Sequence, residues 1–347
     1  MPQPTEFAIR SVEQGLVPDR LVRLGIRRLL KARLAELHGG AASGTAELTR
    51  DFLRDMRAAV LAPLPEKANE QHYEVPAGFF GAVLGRHRKY SSCFWPEGVD
   101  ALSQAEAAAL EATCARADLR DGQDVLELGC GWGSLSLWMA QHYPASRITA
   151  LSNSHSQREY IEIEAARLGL HNLSVITRDF NRFDTAERFD RIVSVEMFEH
   201  LRNWPRAFAN VAHWLRTEGR FFMHVFAHRD APYAFEVRDV SDWMSQHFFT
   251  GGMMPSDDLP LYFQDELRLL ERWRWSGRHY ARTARGWLDN MDAQREALLP
   301  LVQAAHGGGG ELWWMRWRLF FMGVEELFGW NEGQQWWVGH YLFERRA

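Results

Sequence analysis

The chain has 347 residues, 46% of them hydrophobic and 24% charged, enough for one large domain or two small ones with a sizeable core. Lys plus Arg at 40 against Asp plus Glu at 45 leaves a net charge of −5, which argues against a nucleic-acid-binding surface across the chain. No apolar run reaches the length of a membrane span, and the first 15 residues carry Glu6 and lack the apolar stretch of a secretory signal. Cys93, Cys114 and Cys130 form an odd set with no CxxC pair. Free thiols in the cytoplasm are therefore expected, and a metal site is not.

In chain order, residues 19–37 (DRLVRLGIRRLLKARLAEL) repeat leucine at helical spacing with arginines mostly between. This predicts a helix docked on the domain, with peripheral contact to an anionic membrane as the alternative. HGGAASGTAE, from His38, reads as a flexible loop. Residues 49–118 are mainly helical in pattern, broken by Pro63, Pro65, Pro76 and Pro96. The rhythm then changes to alternation. QDVLELGCGWGS is a buried strand, a glycine turn and a helix start, and residues 134–143 continue the helix. RITALS is a second strand, 156–168 a helix, LSVIT a third strand, 191–195 a fourth, 205–215 a helix and RFFMHVF a fifth strand.

Strands and helices alternating at this spacing imply a parallel sheet with helices on both faces. Ligands in such sheets bind beyond the carboxyl ends of the strands, near the topological switch point. Residues 227–262 are irregular and hold FFTGGMMPSDDLP, a segment suited to a lid. A strand over 266–276, a helix near 285–305, a helix over 311–328 and a closing strand over 334–344 complete the pattern. Trp313, Trp314, Trp317, Trp330, Trp336 and Trp337 crowd the end of the chain and are expected mostly in the core.

The stretch VLELGCGWGS carries its glycines as GxGxG, and Ser134 stands where GxGxxG needs the third glycine. The second strand ends in Leu151-Ser152-Asn153, without the acid that a dinucleotide ribose requires. An acid lies instead inside the first strand, at Glu127. A strand with an acid followed by GxGxG resembles the first motif of class I S-adenosylmethionine-dependent methyltransferases. Glycines such as Gly129 and Gly131 admit close backbone approach, and a carboxylate suits the cationic methionine end. Asp179 in TRDF matches the family position that meets the adenine amino group, with Phe180 against the ring; a turn or helix cap is the plain alternative for Asp179.

EKANEQHYEVP, GRHRKYSSCFW, ELGCGWGSLSLWMA, LSNSHSQ, VEMFEH, FFTGGMMPS and ELFGW together resemble the cyclopropane fatty acid synthase superfamily. Within it they resemble most closely the coclaurine-type N-methyltransferases, from about residue 18 to the end. The resemblance implies S-adenosylmethionine as cofactor and a Rossmann-like α/β fold with a seven-stranded, mostly parallel sheet. It implies a helical extension and cofactor clamp over 1–118 and a methyltransferase core over 119–347. A substrate-side helical and lid insertion falls at about 227–330. Asn153 and Gln157 are implied as cofactor contacts, with Tyr90 and Ser91 as the upstream clamp.

Glu196, Glu199 and His200 gather at the end of the fourth strand. An alkylamine with a pKa near 10.4 is only about one part in 10³ neutral at pH 7, and only that form has a lone pair. Carboxylates can attract the ammonium, and a base of suitable pKa can remove its proton. His200 is expected to titrate near neutrality, raised and oriented by Glu196 and Glu199. His224, Glu326 and late tryptophans are expected on the substrate side. The implied function is methyl transfer to the nitrogen of a small-molecule amine.

The cyclopropanating relatives hold a bound bicarbonate base with residues matching Glu199 and His224, both present here. Their pattern, however, has Gly at the position of Glu196, a tyrosine within the helix matching 318–322 and a cysteine one turn before Phe328. Lipid cyclopropanation is thus the weaker alternative. O-methylation of a small acid is weaker too, because paired carboxylates repel an anion. A non-catalytic binder fits poorly with an intact cluster beside an intact cofactor loop.

Overall fold

The computed structural model describes residues 4–38, 42–64, 76–307 and 309–346. Of EKANEQHYEVP, only Pro76 lies among the described residues. The chain opens with α1 (Pro4–Glu13), α2 (Asp19–His38), α3 (Ala42–Ala58), α4 (Ala77–Val83) and α5 (Leu102–Arg116). The alternating region follows as β1 (Asp124–Leu128), α6 (Ser134–His142), β2 (Arg147–Ser152), α7 (His155–Arg167) and β3 (Leu173–Thr177). It continues through β4 (Phe189–Val195), α8 (Trp204–Trp214) and β5 (Leu215–His228). Beyond it lie β6 (Tyr233–Ala234), α9 (Trp243–His247), β7 (Met253–Met254) and β8 (Leu267–Trp275). The chain closes with α10 (Gly277–Ala293), α11 (Arg295–Ala305), α12 (Gly310–Gly329) and β9 (Trp336–Arg345).

Seven strands form one sheet in the order β3-β2-β1-β4-β5-β9-β8. β1 to β5 run parallel, while β9 is antiparallel to β5 and to β8. β1, DVLEL, is apolar on both sides of Glu127 and buried from Val125 onward, as a central parallel strand requires. The order reverses between β1 and β4, so the crevice for a ligand opens beyond Leu128 and Val195. The glycine turn and the VEMFEH cluster both start there.

Two predicted elements differ from the structure. The loop expected over 38–47 is already helical from Ala42, because α3 buries Leu53 and Met56 against α8 and its neighbours. Tertiary burial offsets the cost of about 1 kcal/mol that Gly44 imposes on a helix interior. The helix expected over 285–305 is two helices, with the break at Gln294 (φ −114°, ψ 24°). α10 begins earlier because Tyr280, Thr283, Ala284, Trp287, Leu288 and Met291 make one buried stripe at helical spacing.

α2 docks on the domain through its C-terminal leucines, with Leu37 buried and Leu30 and Leu34 packed on the core, and through arginines nearer its start. Leu21, Leu24 and Leu29 are more than half exposed, while Arg23 and Arg27 turn inward to α12. Arg23 binds Glu326 at 2.8 Å and Glu325 at 2.9 Å, and Arg27 binds Glu326 at 2.6 Å. Arg318 of α12 returns the contact to Asp19 at 2.8 Å. Val22 of α2, Phe80 of α4, Trp287 of α10 and Trp317 of α12 share one buried cluster with Phe226 of β5 and Trp336 of β9. The helical cap is therefore packed onto the sheet. Among the described residues no helix is long and apolar enough to cross a membrane.

Candidate active site

The turn after β1 is built from glycines in the left-handed region, with φ of 76° at Gly129 and 51° at Gly131. A Cβ on Gly129 would stand 2.6 Å from Met197 Cγ, so the turn from β1 and the turn from β4 approach through that missing atom. A Cβ on Gly131 would meet nothing within 4 Å. The empty space is a cavity, whose wall includes Gly129, Cys130 and Gly131.

The cavity gathers every residue expected to hold a cofactor. Tyr90 and Ser91, Glu127, Asn153, Gln157, Asp179 and Phe180 all line it. They reach it from the ends of β1, β2 and β3 and from the segment before α5. Among the described residues, four buried polar atoms of cavity-lining residues have no hydrogen-bond partner: Thr113 Oγ1, Trp132 Nε1, Ser134 Oγ and Gln157 Nε2. Orphaned buried donors are rare in folded proteins. Here they sit around a cradle that a Cβ would fill, and that arrangement fits a polar ligand the size of a nucleoside derivative.

Each of these residues has a local reason for its place. Ser154 caps α7 by accepting from the Gln157 N–H at 3.4 Å, and Ser152 Oγ donates to Gln157 Oε1 at 2.8 Å, leaving the amide nitrogen without a partner. Asp179 accepts from the Asn181 N–H at 2.9 Å, so the capping reading is correct, and the same carboxylate also lies on the cavity wall. Glu127 is buried, accepts from Ser136 Oγ, and burial pushes its carboxyl up to about 7. Ser91 Oγ accepts from the buried ammonium of Lys89 at 2.5 Å.

Glu196 follows β4 directly and is itself in the left-handed region, with φ of 49°. A non-glycine residue held there costs about 1–3 kcal/mol, a feature that concentrates at functional sites. The carboxylate is 8% exposed and lies on the cavity wall. Its Oε1 accepts from the Ser92 N–H at 2.9 Å and faces His224 Nε2 at 3.0 Å, and its Oε2 accepts from the Tyr280 hydroxyl at 2.7 Å. Burial raises its pKa, opposed by the Lys89 charge, the Tyr280 hydroxyl and the Ser92 N–H.

The other two members of the cluster behave differently from expectation. The three-residue turn Phe198–His200 sends Glu199 inward and His200 to the cavity. Glu199 is fully buried and away from the wall; its Oε1 accepts from the Phe226 N–H at 2.8 Å and its Oε2 has no partner. Burial, and then the neighbouring Glu196, push its carboxyl well above the ordinary range. His200 stacks on Phe249 at 5.8 Å, and burial holds its imidazole down at about 4 against the pull of Glu196. It does not titrate near neutrality, and Glu199 does not raise it: desolvation outweighs the single nearby charge.

His224 lies beneath Glu196, fully buried. Glu326 belongs to the α2 docking seam, drawn there by Arg23 and Arg27. Trp314, Trp317 and Trp336 are core, and none of the late tryptophans lines this cavity. The expected lid segment does reach the site. Thr250 and Gly251 are on the wall, with Phe248 stacked on Phe320 at 4.4 Å and Arg202 donating to the Gly251 and Gly252 carbonyls. Lys89, Ser92 and Tyr280 escaped the sequence reading. Lys89 and Ser92 sit within the KYSS stretch and were within reach of it, whereas Tyr280 has no local signal.

Residues 64–334 match the family model described as mycolic acid cyclopropane synthetase. (S)-Coclaurine N-methyltransferase of Thalictrum flavum subsp. glaucum is 34% identical, over 97% of this chain and 95% of that protein. The enzyme of the same name from Papaver somniferum is 31% identical over 98% of each. A crystal structure of coclaurine N-methyltransferase bound to N-methylheliamine and SAH superposes with a TM-score of 0.94 at 34% identity, covering 97% of this chain and 99% of that one. With the glycine turn, the switch-point cavity and the β4 carboxylate already in place, the chain belongs to the coclaurine-type N-methyltransferases, S-adenosylmethionine-dependent enzymes within the mycolic acid cyclopropane synthetase family.

Proposed function

We propose that this enzyme methylates the nitrogen of a small-molecule amine, with Glu196 as the carboxylate that captures the ammonium and His200 as the neutral base beside it. The observation that carries this reading is the position of Glu196. It lies on the wall of the cavity that holds the glycine turn, and three donors steady it. A carboxylate offers about four acceptor sites, so one remains for an N–H of the substrate.

Gly129 and Gly131 would give the backbone approach to the cofactor, and Asn153 and Gln157 would meet its polar groups. Asp179 and Phe180 would hold the adenine, Tyr90 and Ser91 would close the near side, and Glu127 would balance the cationic end. When bound, S-adenosylmethionine supplies an electrophilic methyl on a sulfonium, which an amine lone pair takes in line. The chain's own task is to deliver that lone pair. Glu196 attracts the ammonium, and the uncharged His200 imidazole accepts its proton. Held at about 4, the imidazole is too weak a base to keep that proton, which passes on to solvent water and buffer. Thr250 and Gly251, on the lid segment, cover the site and keep water from the reacting atoms.

Glu199 and His224 are the two groups that favour the cyclopropanating alternative, and both are engaged elsewhere. His224 Nε2 is on Glu196, and Glu199 is off the cavity wall. The test is to incubate the purified chain with methyl-labelled S-adenosylmethionine and a panel of amines, reading product masses. Label on nitrogen supports the assignment; conversion of phospholipid alkenes with no amine accepted overturns it.

A further inference from the structure

Behind Glu196 lies a line of two buried histidines and a half-buried arginine, of which the reaction described above uses only the end on the carboxylate. His224 Nδ1 faces His340 Nε2 at 3.0 Å, and His340 Nδ1 faces a guanidinium nitrogen of Arg116 at 2.7 Å. His224 and His340 stand directly opposite each other in the β5–β9 pairing, and both are fully buried. Trp275 packs edge-on against both rings, at 5.6 Å and 4.3 Å. Arg116 ends α5, with its guanidinium 5.3 Å from the ring centres of Trp273 and Trp275. Among the described residues no carboxylate pairs with it. Its geometric partners are two aromatic faces and one imidazole.

The chemistry of arginine gives this line a direction. A guanidinium has five N–H donors and no acceptor. His340 must therefore offer a lone pair at Nδ1 and carry its proton on Nε2. That proton can only be donated to His224 Nδ1, which places the His224 proton on Nε2, pointing at Glu196 Oε1. Both imidazoles are neutral in this arrangement, and burial, with the neighbouring cations Arg116 and Lys89, keeps them so.

We infer that Arg116 and His340 are positioning residues that act through His224: together they lock both histidines in the Nε2–H tautomer, so that His224 always donates to Glu196. The geometry stands by itself, while its purpose rests on Glu196 being the carboxylate that captures the amine. Without the lock, His224 can turn a lone pair toward Glu196 Oε1. Two acceptors would then oppose each other across 3.0 Å, and the carboxylate would rotate or take up a proton. Either change alters the one acceptor site left for the substrate.

The test uses the full-length chain labelled with ¹⁵N at histidine, with long-range ¹H–¹⁵N spectra to assign tautomers; His340→Gln and His224→Asn identify the two residues by loss of their signals. The wild type should give two neutral Nε2–H imidazoles at these positions. Arg116→Met should release the lock and move both toward mixed tautomers, with kcat/KM for the amine falling about tenfold or more, chiefly through KM, as expected for a lost hydrogen bond to a charged group. Affinity for S-adenosylmethionine should not change. His340→Gln keeps an acceptor for Arg116 and a donor for His224 and should retain most activity, whereas His340→Leu should not.

An Nδ1–H tautomer at either histidine in the wild type overturns the inference even if every variant misfolds. So does an active Arg116→Met enzyme with unchanged tautomers and kinetics. The tautomer measurement needs no substrate, so failure of the amine reading would be recognised separately, by an inert wild type with intact Nε2–H signals.

Discussion

The wall made by Gly129, Asn153 and Asp179 and the wall made by Glu196 and His200 line one cavity, yet they are assembled in different ways. On the first, each residue comes from the turn that directly follows its own strand, and the turn after β1 holds its place by left-handed glycines. On the second, Glu196 depends on Ser92, His224 and Tyr280, which lie 104, 28 and 84 positions away. The reason is electrostatic. A cradle of glycines needs only local geometry, but an ionised carboxylate taken out of water needs donors on several sides. Those donors come from whichever elements the fold brings near.

The difference can be broken most completely at Gly131. Valine there would be strained at φ 51° and would project into the open cavity. Calorimetry should find S-adenosylmethionine binding abolished in a chain that remains folded by circular dichroism. Retained affinity would remove the glycine turn from the cofactor site.

Glu196→Gln keeps the shape of the second wall and removes its charge. We expect kcat/KM for the amine to fall by roughly 10²-fold, mainly in KM, the scale of losing one partner of a buried charge pair. Cofactor affinity should be unchanged. Equal loss of both would mean that the two walls are not separable.

His200→Ala should lower kcat/KM by about 10²-fold near neutrality, at the low end for loss of a general base. The defect should shrink as pH rises toward the pKa of the amine, since solution then supplies the neutral form. Because burial holds His200 at about 4, the wild-type profile should show no inflection near 6.5. The same shift has a consequence for stability. The unfolded histidine binds a proton near 6.5 and the folded one near 4, so between those values the unfolded state holds more protons. Stability from this group therefore falls as pH drops through that window. Urea unfolding of His200→Ala should give a shallower acid slope than wild type, and a slope equal to or steeper than wild type would contradict the burial of the neutral ring.

Smaller effects are expected at the margins of the cavity. Hydrogen exchange over 248–256 should slow when cofactor and amine are both present, because Thr250 and Gly251 close the wall. Exchange indifferent to both would exclude a lid. Asp179→Ala should cost roughly 0.5–1.5 kcal/mol of cofactor binding, one hydrogen bond. Its loss as a cap should appear separately, as a small drop in Tm, because it also holds the Asn181 N–H.

The sequence by itself determined the parallel sheet, the place of the glycine turn and the position of the β4 cluster at the switch point. These are periodic or local patterns, and each is written in consecutive residues. It also carried the family, through motifs spread in order along the chain. Only the tertiary structure decided how the cluster divides. Glu196 and Glu199 are three residues apart and equally acidic on paper, but a single turn leaves one on the cavity and buries the other against the Phe226 N–H. His200 looked like a base near neutrality, and desolvation, which no sequence pattern expresses, moved it to about 4. Glu326 was drawn to α2 by Arg23 and Arg27, some 300 positions away. Tyr280 of α10 meets Glu196, and His340 of β9 and Arg116 of α5 line up behind His224, only through tertiary packing. Burial and long-range charge are properties of the folded chain, and they set what each of these groups can do.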